Sequence, residues 1–185
     1  MEVKGVAFLA RQTMIIQDRG EEAWKRFLQE FSQREPFFAQ TVMPVSRMPV
    51  HAFLRFNEAL IERLYDGDTR MFWEFGVRSA EYALGPQGQL KSLFASGDFR
   101  RFLLFTPGIW KGYFTEGELR VKAEANATEL HLVGVPHPHI YFENSVMGFA
   151  AGGLQMLGAK NLRHEVLKGF STGHSEVLYR FYVVS

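Results

Sequence analysis

Asn144-Ser-Val-Met-Gly-Phe-Ala-Ala-Gly-Gly-Leu-Gln-Met-Leu-Gly158 decides the fold, together with the three segments after it: Ala159-Lys-Asn-Leu-Arg-His-Glu-Val-Leu-Lys168, Gly169-Phe-Ser-Thr-Gly173 and His174-Ser-Glu-Val-Leu-Tyr-Arg-Phe-Tyr-Val-Val184. The first segment reads as a helix. Gly148, Ala151, Gly152 and Gly158 fall near one stripe, which lets another backbone approach closely. Gly158 suits the left-handed position that ends a helix. The rest reads as a β-hairpin, Leu162 to Leu167 and Val177 to Val183, turning around Gly173.

Upstream, the period also becomes two. Leu119, Val121 and Ala123 alternate with Arg120, Lys122 and Glu124, and Leu130 and Leu132 alternate with Glu129 and His131. Asn126 marks the turn of this first hairpin, which has one buried face. Pro136 to Pro138 leads into the glycine-rich helix. Residues 116–185 therefore read as β-β-α-β-β, a four-stranded antiparallel sheet with helices on one side.

Residues 1–115 read as helical. Val3 to Gln17 carries a helical stripe, with a strand over Val6 to Leu9 as an alternative. Glu21 to Phe31 places Trp24, Phe27, Leu28 and Phe31 at i, i+3, i+4 and i+7. Pro36 to Pro49 is a packed connector. Helices are expected over Val50 to Tyr65 and Thr69 to Leu84, with a short one over Leu90 to Phe94. Asp98 caps a helix over Phe99 to Phe105, and Thr106-Pro107 starts another. The whole is expected to be one α+β domain over residues 1–185.

The chain has 185 residues, 46% of them hydrophobic and 18 of them Phe, enough to fill a large core. Its net charge of +1 gives no global pull toward nucleic acid. The absence of Cys removes disulfides, thiolate nucleophiles and cysteine-held metals. It fits a reducing cytoplasm, the expected location. No apolar run is long enough to span a membrane.

Two stretches carry a resemblance. The opening, Val3-Lys-Gly-Val-Ala-Phe-Leu9 with Asp18-Arg-Gly-Glu-Glu-Ala-Trp-Lys-Arg-Phe-Leu28, resembles the first helices of bacterial heme–nitric-oxide-binding domains. The end is similar to the 4-vinyl-reductase-like domain, with Gly148, Gly152, Leu154, Gly158, Gly173 and Phe181 in its pattern. Both belong to a ligand-binding superfamily that includes subunits of the transport-protein-particle tether. The resemblance implies a stand-alone bacterial member of that fold, with a cavity. It also implies, by departure, a loss of cofactors. Where heme-binding relatives carry Tyr-x-Ser-x-Arg, this chain has Gly117-Glu-Leu-Arg-Val-Lys-Ala-Glu-Ala125. Where vinyl-reductase-like relatives place cysteines, it has Gly169 and a residue near Val177 or Leu178. Heme and zinc are both withdrawn on that ground, leaving no expected cofactor.

No catalytic constellation stands out. None of the serines sits in a nucleophile elbow, and Ser145, after Asn144, reads as a cap. His137-Pro138-His139 with Glu143 is the nearest approach to a metal set, against the plainer reading of imidazoles at a helix start. The aromatic excess reads first as core. Its functional reading is an apolar pocket lined by Phe53, Phe72, Trp73, Phe102, Trp110, Tyr113 and Phe149. The favoured expectation is a non-enzymatic sensory domain for a small apolar ligand. A homodimeric adaptor in bacterial signalling is the alternative, and a metal-dependent enzyme the weakest reading.

Overall fold

The change of period at Glu118 divides the elements as the sequence implies. The computed structural model describes residues 1–86, 88–124 and 126–184; Ala125, at the end of the stretch compared with the heme signature, lies outside them. Six α-helices and six strands run β1 (Glu2–Lys4), α1 (Gly5–Arg19), α2 (Glu21–Ser32), β2 (Arg47–Pro49), α3 (Val50–Leu64), α4 (Met71–Leu84), α5 (Phe99–Tyr113), β3 (Glu118–Ala123), β4 (Thr128–Val133), α6 (Ile140–Met156), β5 (Asn161–Lys168) and β6 (Val177–Val184) among the described residues. The class is α+β. Two compact units form, one of Met1–Met71 with Gly112–Thr115, the other of Phe72–Lys111 with the described residues from Glu116 on.

In the first unit the apolar stripes of α1, α2 and α3 converge on Phe56, which is fully enclosed. Its ring lies 5.0 Å from Phe8, 5.2 Å from Phe38 and 5.9 Å from Phe31. Such offset and edge-on pairs add to the burial of each ring. The guanidinium of Arg11 is also enclosed, and its Nε donates to Asn57 Oδ1 at 3.2 Å. Asn57 in turn donates to the Phe53 carbonyl at 2.8 Å, so the buried polar group is paired rather than stranded.

Two strands here escape the sequence reading. β1 pairs antiparallel with β2, Val3 opposite Met48, where the sequence reads as the start of the Val3 to Gln17 helix and as a connector. Three-residue strands are too short to show a period of two. The alternative strand over Val6 to Leu9 does not form, because α1 begins at Gly5. Asp66 and Gly67 take positive φ after α3, and Asp68 accepts from the Arg70 backbone N–H at 3.0 Å. The next helix consequently starts at Met71, two residues later than Thr69.

In the second unit the sheet order is β3-β4-β6-β5, all antiparallel, with Leu119 opposite Leu132 and Leu130 opposite Tyr179. Leu119, Leu130, Leu132, Val177, Tyr179 and Phe181 are buried, as alternation requires. Gly158 comes after α6 with φ +100°, and Gly173 turns the second hairpin with φ +84°.

The glycine stripe of α6 does what small residues permit, against α4. A Cβ on Gly148 would collide with the Trp73 carbonyl, and one on Gly152 would lie 2.8 Å from Val77 Cα. From the other side, a Cβ on Gly76 would collide with the Ser145 carbonyl. The two helices thus cross backbone on backbone.

The expected break at Thr106-Pro107 is a correction. α5 runs through Pro107 without interruption. Proline lacks the N–H that would bond the carbonyl four residues back, which is Leu103. Thr106 Oγ1 donates to that carbonyl at 2.7 Å, replacing the missing bond.

Candidate functional site

α6 begins one turn earlier than Asn144. His139 is its cap, with Nδ1 accepting from the Tyr141 N–H at 3.0 Å. Ser145 accordingly lies inside the helix and donates to the Tyr141 carbonyl. The earlier start puts Glu143 in the first turn, where the helix end favours a carboxylate. The Glu143 side chain is 1% exposed.

Three donors hold it. Ser171 gives its N–H at 2.7 Å and its hydroxyl at 2.8 Å, and the Tyr179 hydroxyl donates at 2.9 Å. The carboxylate thereby ties α6 to β6 and to the turn between β5 and β6. Gly169 leaves room for it, since a Cβ there would overlap the carboxylate. Burial raises the Tyr179 phenol above its ordinary pKa, and the facing Glu143 carboxylate raises it further.

The set His137, His139 and Glu143 is drawn apart by these bonds: His139 caps the helix while Glu143 faces Ser171 and Tyr179. Among the described residues, no three His, Asp or Glu side chains converge on one point. Sequence reasoning missed Ser171 and Tyr179 as partners of Glu143. One signal was present: parity puts Tyr179 on the buried face with Val177 and Phe181, and a buried phenol needs an acceptor.

Each unit holds some of the aromatic residues proposed as a lining. In the first unit, Phe53 is fully enclosed 6.3 Å from Phe56, and Tyr113 is half-buried 6.3 Å from Phe114. In the second, Phe72 meets Tyr141 edge-on at 5.7 Å, and Trp110 meets Phe142 edge-on at 6.0 Å. Phe102 stacks on Phe149 at 6.2 Å and fills the space above Gly153. Trp73 stacks on His164 at 5.0 Å, and His164 stacks on Tyr179 at 5.6 Å. Desolvation in that stack lowers the His164 pKa below the ordinary imidazole value. Phe53 and Phe102 are fully enclosed, at 0% exposure. Trp73, Tyr113 and Phe149 are half-buried and keep accessible surface.

The second unit also holds a concavity of about 610 Å³ where the start of α5 meets the β3–β4 turn and the end of β6. Phe99, Leu103, Phe181 and Val183 give it apolar walls, and Arg100 and Arg163 give it charge.

No family model matches the chain, and no curated protein matches it in sequence. Solved structures do match in shape. An H-NOX protein from S. oneidensis in the Fe(II)NO ligation state superposes with a TM-score of 0.77 at 12% identity, covering 98% of this chain and 99% of that one. A Cs H-NOX mutant gives 0.74 at 16%, covering 98% and 97%. A protein studied for heme redox potential and porphyrin distortion gives 0.71 at 14%, covering 97% and 99%. These likenesses correct the withdrawal of heme: the solved structures that share this fold include heme proteins. The chain is similar over nearly its whole length to H-NOX proteins, and has their fold.

Proposed function

We propose that the chain is a non-enzymatic, ligand-binding sensory domain, taking residues 1–185 as one functional domain. The observation that carries this reading is the fold shared with H-NOX proteins across 98% of the chain. Heme is the first group to test, because neighbours of this fold are heme proteins and one is seen with NO on its iron. Heme is also a large, mostly apolar disc, which suits an aromatic-rich chain. Trp73, Tyr113 and Phe149 are the proposed contacts of greatest interest, since they keep accessible surface. The finer kinship with the 4-vinyl-reductase-like domain and the tether subunits rests on the pattern of Gly148, Gly152, Leu154, Gly158, Gly173 and Phe181 and belongs to this proposal as well.

Titration with hemin tests it, with metal-free protoporphyrin and a hydrophobic dye as parallel probes. The reading predicts saturable uptake of one equivalent, with a Soret band displaced from that of free hemin. Failure of all three probes to bind would overturn it.

A homodimeric adaptor is the second reading. It is favoured by β5, which ends the sheet and leaves Val166 48% and Leu167 40% exposed. A sheet edge of this kind offers unpaired backbone groups to a second copy. Light scattering at micromolar concentration separates the two readings: a strict monomer removes the second.

A further inference from the structure

The concavity at the start of α5 carries an inference beyond the sensory reading. Its cations are arranged unlike their neighbours in the same unit. Arg101 pairs with Asp98, Arg120 with Glu118 and Arg180 with Glu129. Arg100 and Arg163 line the cavity and form no ion pair among the described residues. Arg163 lies over the Tyr182 ring at 5.4 Å, a contact that orients the guanidinium without neutralising it. The one carboxylate on the wall, Glu124, is already matched by Lys122 at 2.8 Å. Asn126 and Thr128 also line it and add hydrogen-bonding capacity beside the apolar Phe99 and Val183.

Apolar walls with two uncompensated guanidinium groups match one ligand class. Arginine binds carboxylate and phosphate oxygens through paired N–H donors, and the walls take an alkyl or ring body. The volume, about 610 Å³, falls in the range of small-molecule sites. We propose that this cavity binds a soluble anionic amphiphile, a carboxylate or phosphate head on a short apolar body, held by Arg100 and Arg163. The inference rests on the lining of this concavity and not on the sensory reading.

Calorimetric titration of the full chain with octyl phosphate and octanoate, below micelle formation, tests the proposal, with octanol as the uncharged control. One equivalent of either anion should bind, and added salt should weaken it. Replacing Arg100→Gln or Arg163→Gln should each weaken binding about tenfold, and the double variant should abolish it. Both side chains are exposed, so circular dichroism should stay unchanged. In the unsubstituted chain, octyl phosphate should shift the amide NMR signals of Arg100, Asn126 and Tyr182. Binding that survives the double substitution, shifts confined to other residues, or preference for octanol would each overturn the proposal. So would binding to vesicles of phosphatidylcholine and phosphatidylserine without binding to the free anions, which would place the ligand in a membrane surface.

Discussion

Glu143 shows how one residue fixes a local architecture. A buried carboxylate is costly unless donors surround it, and here three do. Replacing Tyr179→Phe removes one donor and leaves the carboxylate short of a partner. The expected cost is about 1–3 kcal/mol, read as a lower midpoint in urea. Gly169→Ala should cost a similar amount, since its methyl group overlaps the carboxylate. The imidazole of His164 gives a pH dependence. Its folded pKa is lowered by desolvation, so the unfolded chain binds that proton more readily. The stability it contributes is fully present above the ordinary imidazole pKa and is lost as pH falls below it. An NMR titration of the ring protons should find His164 charging at lower pH than an unperturbed imidazole. An ordinary or raised midpoint would contradict the desolvation of the ring beside Trp73 and Tyr179.

At the scale of elements, α5 and the α4–α6 pair are the informative cases. Thr106→Val keeps the shape of the side chain and removes the hydroxyl that serves the Leu103 carbonyl beside Pro107. It should destabilise the chain by about 1–2 kcal/mol, while Thr106→Ser should cost much less; both are measurable by chemical unfolding. Gly148→Ala should cost about 1–3 kcal/mol, because its new methyl group meets the Trp73 carbonyl rather than a movable side chain. Much of this level was legible in the sequence. The long amphipathic helices, both hairpins of the larger sheet and the glycine stripe all show their period directly. β1 and β2 do not, because three residues carry no period. The joining of α5 across Pro107 does not either, because Thr-Pro reads equally as a new helix start, and only the position of the Leu103 carbonyl separates the two. Glu143 was legible as a residue of interest, but its partners Ser171 and Tyr179 lie 28 and 36 positions away and meet it only through the fold.

For the whole molecule, sequence similarity and shape carry different information. The path of the backbone matches that of H-NOX proteins at 12–16% identity, so few side chains are shared. The absence of a Tyr-x-Ser-x-Arg pattern therefore speaks to one way of gripping heme and leaves the fold's capacity for a bound group intact. Among the described residues no helix is long and apolar enough to cross a membrane. The central claim is that this chain carries a small molecule. Native mass spectrometry of the protein purified from its own host tests it most directly. The account predicts a stoichiometric adduct that is lost on denaturation and that hemin restores if heme is the bound group. The bare chain mass alone, unchanged after exposure to hemin and protoporphyrin, would contradict it.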